Sequence, residues 1–327
     1  MTAKRSVRRR KRRLRKKRLF VAALLLIFII TLGYSGYQYM MGKQESLGKV
    51  SGEDGEVQLD EISSKYKDEF KGVDNHDGKT NVLLLGVDQR GSETPRSDTI
   101  MIAQYDPENE SAKLVSIMRD TFVNIPGHGY NKINAAFAFG GPELLRQTIA
   151  ENFGIKTEYY SIIDFTGFTH IVNTLAPSGV KVDVEKDMQY KGGKDTNINL
   201  QAGTQRLNGD ELLGYARYRS DSRGDFARVE RQQKVIKLLK DELLSFSGVL
   251  KAPRLIGTIQ PYVDTNMGNA KILTLGKDFI LNPPKDIETL SVPTDDNVQS
   301  LRKPYPIGLV LSHDEQETAQ TIQEFLK

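Results

Sequence analysis

The sequence of 327 residues contains no cysteine and only four histidines. The absence of cysteine excludes disulfides, thiol nucleophiles and cysteine-ligated metal sites. The histidines are far apart, and none has a second histidine three or four positions away, so the spacing does not predict a zinc site. A folded domain with this composition must therefore be stabilised by its apolar core.

Acidic residues are missing from the first eighteen positions. Of the 46 Lys and Arg, twelve lie between Lys4 and Arg18, which leaves 34 against 42 Asp and Glu, a net charge of −8 for the rest of the chain. The sequence therefore predicts a basic head joined to an acidic body.

Residues 19–41, LFVAALLLIFIITLGYSGYQYMM, form an uncharged run of 23 residues. A helix needs about 20 apolar residues to cross the hydrocarbon core of a bilayer. Tyrosines near its end are typical of a membrane interface, and the basic head predicts a cytoplasmic N-terminus. We therefore predict a cytoplasmic head at 1–18, one transmembrane signal anchor at 19–41, an extracellular stalk at 42–79 and an extracellular domain at 80–327.

Two other interpretations fit the N-terminal region less well. A cleaved signal peptide is less favoured, because the apolar run is long and no A-x-A site follows it. A basic run can also bind nucleic acid. Next to an apolar span, however, such a run more often sets topology and contacts anionic lipid. We therefore expect membrane lipid, and no nucleic acid, as a partner.

The main domain alternates predicted strands and helices. TNVLLLGVD, DTIMIAQYD and SAKLVSIMRD are patterns of buried strands, and Gly-Gly-Pro predicts a helix from about Pro142 to Asn152. NGDELLGYARYR predicts another helix, and a longer one is expected from about Asp225 to Phe246. This alternation indicates an α/β domain with three layers (α-β-α) and a mixed central sheet.

Two aspartates flank the loop between the first two strands. Asp88 ends the first strand and Asp98 begins the second, so adjacent strands would place both carboxylates at one edge of the sheet. Two carboxylates facing an open crevice suit Mg²⁺, which shares its coordination with water and phosphate oxygens. Taken alone, Asp88 fits the start of a turn equally well, and Asp98 fits a strand end.

Basic residues accumulate near the same predicted edge. Arg119 ends the third strand, Arg96 precedes Asp98, and Lys132 lies upstream of a helix. Each of these residues alone is adequately explained as a solvated surface charge.

The stretch RYRSDSRGDFARVERQQ holds five arginines within fifteen positions, namely Arg217, Arg219, Arg223, Arg228 and Arg231. Arg228, Arg231 and Gln232 share one helical face by their spacing. A salt-bridged solvent face is the ordinary explanation, but few acids are nearby in sequence to neutralise the arginines. Converging guanidinium groups predict an anion, and arginine is well shaped to bind phosphate.

Established nucleotide and hydrolase motifs are absent from the sequence. No P-loop, no G-x-G-x-x-G and no G-x-S-x-G occurs. An extracellular site would in any case find little ATP, so a phosphate-bearing lipid carrier at the membrane is the favoured anion.

NVLLLGVD, RSDTIMIAQYD, LVSIMRDTFVNIPG, NKINAAFAFGG and YARYRSDSRGDFARVERQQ, in this order, resemble the LytR-CpsA-Psr family over about residues 81–244. The resemblance implies an exported α/β domain with an apolar groove for a polyprenyl chain. It also implies a phosphotransferase that moves a teichoic acid or capsular glycopolymer from undecaprenyl diphosphate to peptidoglycan.

The resemblance further implies roles for individual residues. Asp88 and Asp98 are expected to associate with Mg²⁺, and Asp225 to orient the arginines or to assist deprotonation of the acceptor. The residues expected to bind the diphosphate are Arg96, Arg119, Lys132, Arg217, Arg219, Arg228 and Gln232. Arg223 and Arg231 fit the motif less well, and a structural role suits either. A diphosphate hydrolase and a non-catalytic regulator that senses lipid-linked precursors are the alternative functions.

Overall fold

The computed structural model describes residues 33–44, 65–74, 76–87, 97–190, 197–220 and 223–327. Their strands are β1 (Thr80–Val87), β2 (Ser97–Asp106), β3 (Ser111–Ile117), β4 (Phe122–Ile125), β5 (Gly129–Lys132), β6 (Tyr159–Asp164), β7 (Val180–Val184), β8 (Met188–Tyr190), β9 (Ile198–Leu200), β10 (Gly203–Leu207), β11 (Val263–Thr265), β12 (Ile287–Val292), β13 (Gln299–Lys303) and β14 (Gly308–Ser312). From residue 133 onward, the α-helices are α1 (Ile133–Phe153), α2 (Phe165–Leu175), α3 (Gly209–Arg217), α4 (Gly224–Leu244), α5 (Phe246–Ile259), α6 (Asn269–Leu281) and α7 (Glu315–Leu326).

Six strands form the central sheet, in the order β11-β6-β1-β2-β3-β12. Strand β1 runs antiparallel to β2 and parallel to β6, and β3 runs antiparallel to β2 and parallel to β12. The predicted α/β fold with a mixed sheet is confirmed. Since β1 and β2 are antiparallel neighbours, the end of β1 and the start of β2 lie at the same edge of the sheet.

Apolar side chains cover both faces of the sheet, because successive residues of a strand point to opposite sides. On one face, Leu83 and Ile102 join a buried cluster with Ile149 of α1 and Ile322 of α7. On the other face, Met101 packs in a second cluster to which Ile236 of α4 contributes. Helices therefore lie on both sides of the sheet, and α4 covers the second side.

Helix α1 is longer than the sequence pattern predicted. It runs from Ile133 to Phe153 with a kink at Gly140 and Gly141, where the backbone leaves helical values and Gly141 takes a φ of 62°. The predicted start at Pro142 is the point where the helix resumes after the kink. The residues before the kink were missed because Gly-Gly-Pro is typical of a helix start.

Helical residues 33–44 pack against α5. A Cβ on Gly42 would overlap the backbone of Arg254, and a Cβ on Gly257 would overlap the backbone of Tyr39, so both glycines permit a close helix crossing. The Tyr39 hydroxyl also donates to Oε1 of Gln260 at 2.9 Å.

Most of the predicted membrane span, residues 19–32, lies outside the described residues. Among the helices that the structure does describe, none combines the length and the apolar character needed to cross a membrane.

Residues 65–74, within the predicted stalk, pack against the domain. Phe70 is buried, and its ring centroid lies 4.8 Å from that of Tyr160 in β6. The backbone N–H of Val73 donates to the carbonyl of Thr157 at 2.9 Å. This part of the chain therefore enters the domain before β1 begins.

Candidate functional site

The open end of β2 holds a carboxylate that faces two guanidinium groups. Asp98 is the second residue of β2, and Nη1 of Arg119, just past the end of β3, donates to its Oδ1. Nη2 of Arg219 lies 3.8 Å from the same oxygen. Antiparallel pairing of β2 and β3 brings Asp98 and Arg119 to one edge, as their positions in the sequence predicted.

A second carboxylate enters the cluster from the first turn of α4. Nη2 of Arg228 donates to Oδ2 of Asp225 at 2.8 Å, and Nε of Arg219 lies 3.7 Å from Oδ1 of Asp225. Nη2 of Arg228 also reaches the backbone carbonyl of Asp98 at 3.3 Å. Arg219 thus lies between the two aspartates, and Arg228 connects α4 to β2.

Lys132 joins the edge of this cluster through an acid that the sequence analysis did not select. Nζ of Lys132 lies 2.8 Å from Oδ1 of Asp120, and Nε of Arg119 lies 3.5 Å from Oδ2 of Asp120. The only local signal for Asp120 was its place directly after Arg119 in the sequence.

Burial and charge shift the pKa values within the cluster. Burial raises the pKa of the Asp225 carboxyl, although Arg119 and Arg219 act in the opposite direction. Burial also lowers the pKa of Arg219, and the positive charge of Arg119 lowers it further. For Arg119, burial is outweighed by the carboxylates of Asp98, Asp120 and Asp225, so its pKa is raised.

These shifts show how the charges are balanced. For Arg119, the attraction of the nearby carboxylates exceeds the unfavourable effect of burial on the charged form. For Arg219, the effect of burial exceeds the attraction of the carboxylates. An arginine still remains protonated at physiological pH. An added anion beside Arg219 would therefore offset the burial of its guanidinium.

The other arginines of the stretch have partners of a different kind. The guanidinium of Arg217 lies 4.0 Å from the ring centroid of Phe165, the first residue after β6. Arg223 forms an ion pair with Glu230 on the protein surface, through a 2.7 Å bond from Nη1 and a second bond from Nη2. Arg231 is buried and donates to the carbonyl of Tyr218 at 2.6 Å.

The position of Arg217 still relates it to the same edge. Strand β6 runs parallel to β1, and Asp164 at its end is paired with Val87, the last residue of β1. Phe165 and the guanidinium above it therefore lie beside the end of β1.

Gln232 is half-buried on α4. The neighbouring Gln233 is buried and forms hydrogen bonds to the central sheet. The Nε2 atom of Gln233 donates to Oγ of Ser116 at 2.9 Å and to Oγ of Ser291 at 3.0 Å. Gln233 fixes α4 against β3 and β12, and helical spacing alone could not distinguish it from Gln232.

Two predicted site residues, Asp88 and Arg96, lie outside the described residues. Of the others, the structure brings together Asp98, Arg119, Arg219, Asp225 and Arg228, with Lys132 attached through Asp120. We call these six residues with Asp120 the cationic cluster.

The cationic cluster does not by itself enclose a metal ion. No group of three or more His, Cys, Asp and Glu suited to holding one occurs in the described part of the chain. Asp98 already accepts a hydrogen bond from Arg119. Mg²⁺ takes most of its ligands from water and phosphate oxygens and needs few from protein.

Comparison with known proteins identifies the family. The model of the LytR_cpsA_psr family matches residues 38–322. The chain belongs to the LytR-CpsA-Psr family. This match includes every described residue of the cationic cluster as well as the strands and helices that position it.

Relatives in the LytR-CpsA-Psr family carry two kinds of name. The chain is 43% identical over 258 residues to a protein of Staphylococcus aureus strain COL named "Regulatory protein MsrR", which covers 79% of this chain and 77% of the relative. It is 32% identical over 278 residues to the "Polyisoprenyl-teichoic acid--peptidoglycan teichoic acid transferase TagU" of Bacillus cereus, which covers 83% of this chain and 86% of that protein.

Solved structures of family members share the fold. Bacillus subtilis TagV superposes with a TM-score of 0.64 at 30% identity, covering 76% of this chain and 97% of TagV. A structure described as "TagT bound to LIIa-WTA" gives a TM-score of 0.60 at 28% identity, covering 78% of this chain and 94% of TagT.

Proposed function

We propose that this protein transfers an anionic glycopolymer, a wall teichoic acid or a capsule-like polymer, from undecaprenyl diphosphate to a hydroxyl of peptidoglycan. The observation that carries the proposal is the position of Arg219 between Asp98 and Asp225, with Arg119 and Arg228 alongside. Relatives in the same family are named as teichoic acid transferases, which supports this substrate class.

The proposed reaction exchanges one bond to phosphorus for another. The acceptor hydroxyl oxygen attacks the phosphorus attached to the polymer, the bond to the bridging oxygen breaks, and lipid monophosphate leaves. The product is a phosphodiester between polymer and peptidoglycan, and the hydroxyl proton passes to a base. Negative charge grows on the bridging and terminal oxygens, and positioned cations stabilise it.

The chain's own residues have separate tasks in this reaction. Arg219, Arg119 and Arg228 bind the diphosphate, with Arg96, Arg217, Lys132 and Gln232 proposed beside them. Both oxygens of Asp225 face guanidinium groups, which favours an orienting role. Deprotonation of the acceptor by Asp225 would require Oδ1 to turn away from Arg219.

In this proposal, Asp88 and Asp98 would bind Mg²⁺ together with the substrate diphosphate. The bound ion would neutralise charge on the phosphate oxygens. In the same proposal the protein is anchored by the apolar run of residues 19–41, whose described end packs against α5, with its N-terminus in the cytoplasm. The domain, which residues 65–74 join before β1, then meets its substrates at the outer surface of the membrane.

Product analysis tests the proposal. We expect the full-length protein in detergent, given lipid-linked polymer and peptidoglycan oligomers, to form a polymer–peptidoglycan conjugate and lipid monophosphate, seen by mass spectrometry. Chelation with EDTA should stop the reaction, and added Mg²⁺ should restore it.

The same measurement distinguishes the two competing functions. Lipid monophosphate formed equally well without peptidoglycan would indicate a hydrolase. Absence of turnover, with lipid-linked precursor still bound, would indicate a regulator that senses precursors. The S. aureus relatives are named as regulatory proteins.

A further inference from the structure

A cavity of about 300 Å³ lies beside the β4–β5 hairpin, between the end of α1 and the start of α7. The lining residues share hydrogen-bonding side chains, apart from one alanine, and they are Asn124, Tyr130, Glu151, Asn152, Glu315, Gln316 and Ala319. Carboxylates, amides and an aromatic ring around one space provide acceptors and donors for hydroxyl and amide groups.

The charge of this cavity is opposite to that of the cationic cluster. Its lining holds two glutamates and no lysine or arginine. Two carboxylates repel a diphosphate and an anionic polymer, so the donor is a poor ligand for this cavity. An uncharged ligand rich in hydroxyl and amide groups matches it better.

Tyr130 offers the cavity an accessible aromatic surface. Its side chain is 50% exposed, and the Glu315 carboxylate beside it raises the pKa of its hydroxyl. An aromatic face has a negative quadrupole that attracts polarised C–H groups such as those on the face of a sugar ring. The lining therefore combines the two features that bind neutral glycans, a ring to stack on and polar groups to orient hydroxyls.

The hairpin connects the cavity with the cationic cluster. Phe122 pairs with Lys132 and Asn124 pairs with Tyr130, so these four residues share one face of the hairpin. Val123 and Ile125 occupy the opposite face and are fully buried. We call the face formed by Phe122, Asn124, Tyr130 and Lys132 the hairpin strip.

One end of the hairpin strip lies in the cavity and the other lies at the cationic cluster. Tyr130 lines the cavity, and Nζ of Lys132 lies 2.8 Å from Asp120. The two residues are two positions apart, about 7 Å along a strand. The rings of Phe122 and Tyr130 lie 5.4 Å apart, so the surface between the ends is aromatic.

We propose that the hairpin strip and its cavity bind the uncharged, N-acetylated sugars of the acceptor glycan and guide its hydroxyl to the cationic cluster. This inference rests on the proposed transferase function and adds the acceptor subsite to it. The anionic donor and the neutral acceptor then approach the reacting phosphorus from regions of opposite charge.

Acceptor kinetics test the inference. We expect Tyr130→Ala in the full-length protein to raise the KM for peptidoglycan oligomers about fivefold or more, with kcat and the donor KM unchanged. Tyr130→Phe keeps the ring and should raise it less. Tyr190→Ala is the matched control, because Tyr190 is 48% exposed and lies outside the cavity lining. An unchanged acceptor KM in Tyr130→Ala would overturn the inference and leave the transferase function intact.

Direct binding separates the inference from the proposed function. Chitotetraose, an uncharged N-acetylated glycan, should perturb the NMR signals of hairpin residues in the wild-type protein and should do so less in Tyr130→Ala. Such binding would support the subsite even if no transfer were found. Equal perturbation in both proteins, or perturbation confined to other elements, would contradict it.

Discussion

Arg228 and Arg231 lie three residues apart on α4, and both are almost fully buried, with 2% and 6% of their surface exposed. Spacing and burial therefore do not distinguish them. Their partners do: Arg228 contacts the Asp225 carboxylate and the Asp98 carbonyl, whereas Arg231 contacts the carbonyl and ring of Tyr218.

The difference shows two ways in which a buried arginine serves the same site. Arg228 is part of the cationic cluster. Arg231 holds the backbone at Tyr218, directly before Arg219, and so fixes the segment that carries Arg219 between the aspartates. We therefore expect Arg231 to act as a positioning residue.

Arg228→Ala tests the first role and should have the largest effect. It removes the closest partner of the partly buried Asp225 carboxylate, and breaking a buried ion pair costs about 3–5 kcal/mol of unfolding free energy. Loss of one donor to the developing charge lowers the rate by about 10²–10³-fold. Urea unfolding and product quantification per folded molecule measure the two effects separately.

Arg231→Ala is the matched comparison for Arg228→Ala. We expect a clear loss of stability, since a buried hydrogen bond to Tyr218 disappears, but a smaller loss of rate, of about tenfold. Unchanged turnover per folded molecule in Arg228→Ala would contradict the assignment of Arg228 to the cationic cluster. So would a greater loss of turnover in Arg231→Ala.

Arg219→Ala should separate catalysis from stability. The side chain of Arg219 is 40% exposed and its ion pairs are long, so the unfolding free energy should change by no more than about 1 kcal/mol. The rate should fall about 100-fold, because the reaction loses a guanidinium group that stabilises the negative charge on the phosphate oxygens.

Arg223→Ala is the control for Arg219→Ala. Arg223 is also exposed and ion-paired, but its partner is Glu230 on the surface rather than an aspartate of the cluster. The transfer rate of Arg223→Ala should stay within about twofold of wild type, because exposed ion pairs contribute little free energy. A similar drop in both variants would show that surface charge, not the cluster, controls the rate.

The strands of the domain could be predicted because their signal is local. Continuous apolar runs in β1, β2 and β3 indicated strands buried on both faces, and the structure has strands there. Helix α1 could not be delimited in this way. The chain kinks at Gly140 and Gly141, and the same residues are typical of a helix start.

The sequence could predict most of the residues that contribute to the cationic cluster, but not which side chains form ion pairs with each other. The density of arginine indicated an anion site, and sheet order placed Asp98 near Arg119. The pairing of Lys132 with Asp120 and the contact of Arg231 with Tyr218 depend on how distant elements meet. Helical spacing assigned Arg228 and Arg231 to one face without revealing that their partners differ.

The pH dependence of the rate gives the smallest expected effect. The ionised form of Asp225 holds the arginines, and burial raises its pKa above the ordinary value, so the rate should fall as pH drops through that raised pKa. Arg219 acts to lower the pKa of Asp225, and its removal should move the acidic limb of the rate profile to higher pH. Arg223→Ala should leave the limb where it is. A limb that stays fixed in Arg219→Ala would show that Asp225 does not set it.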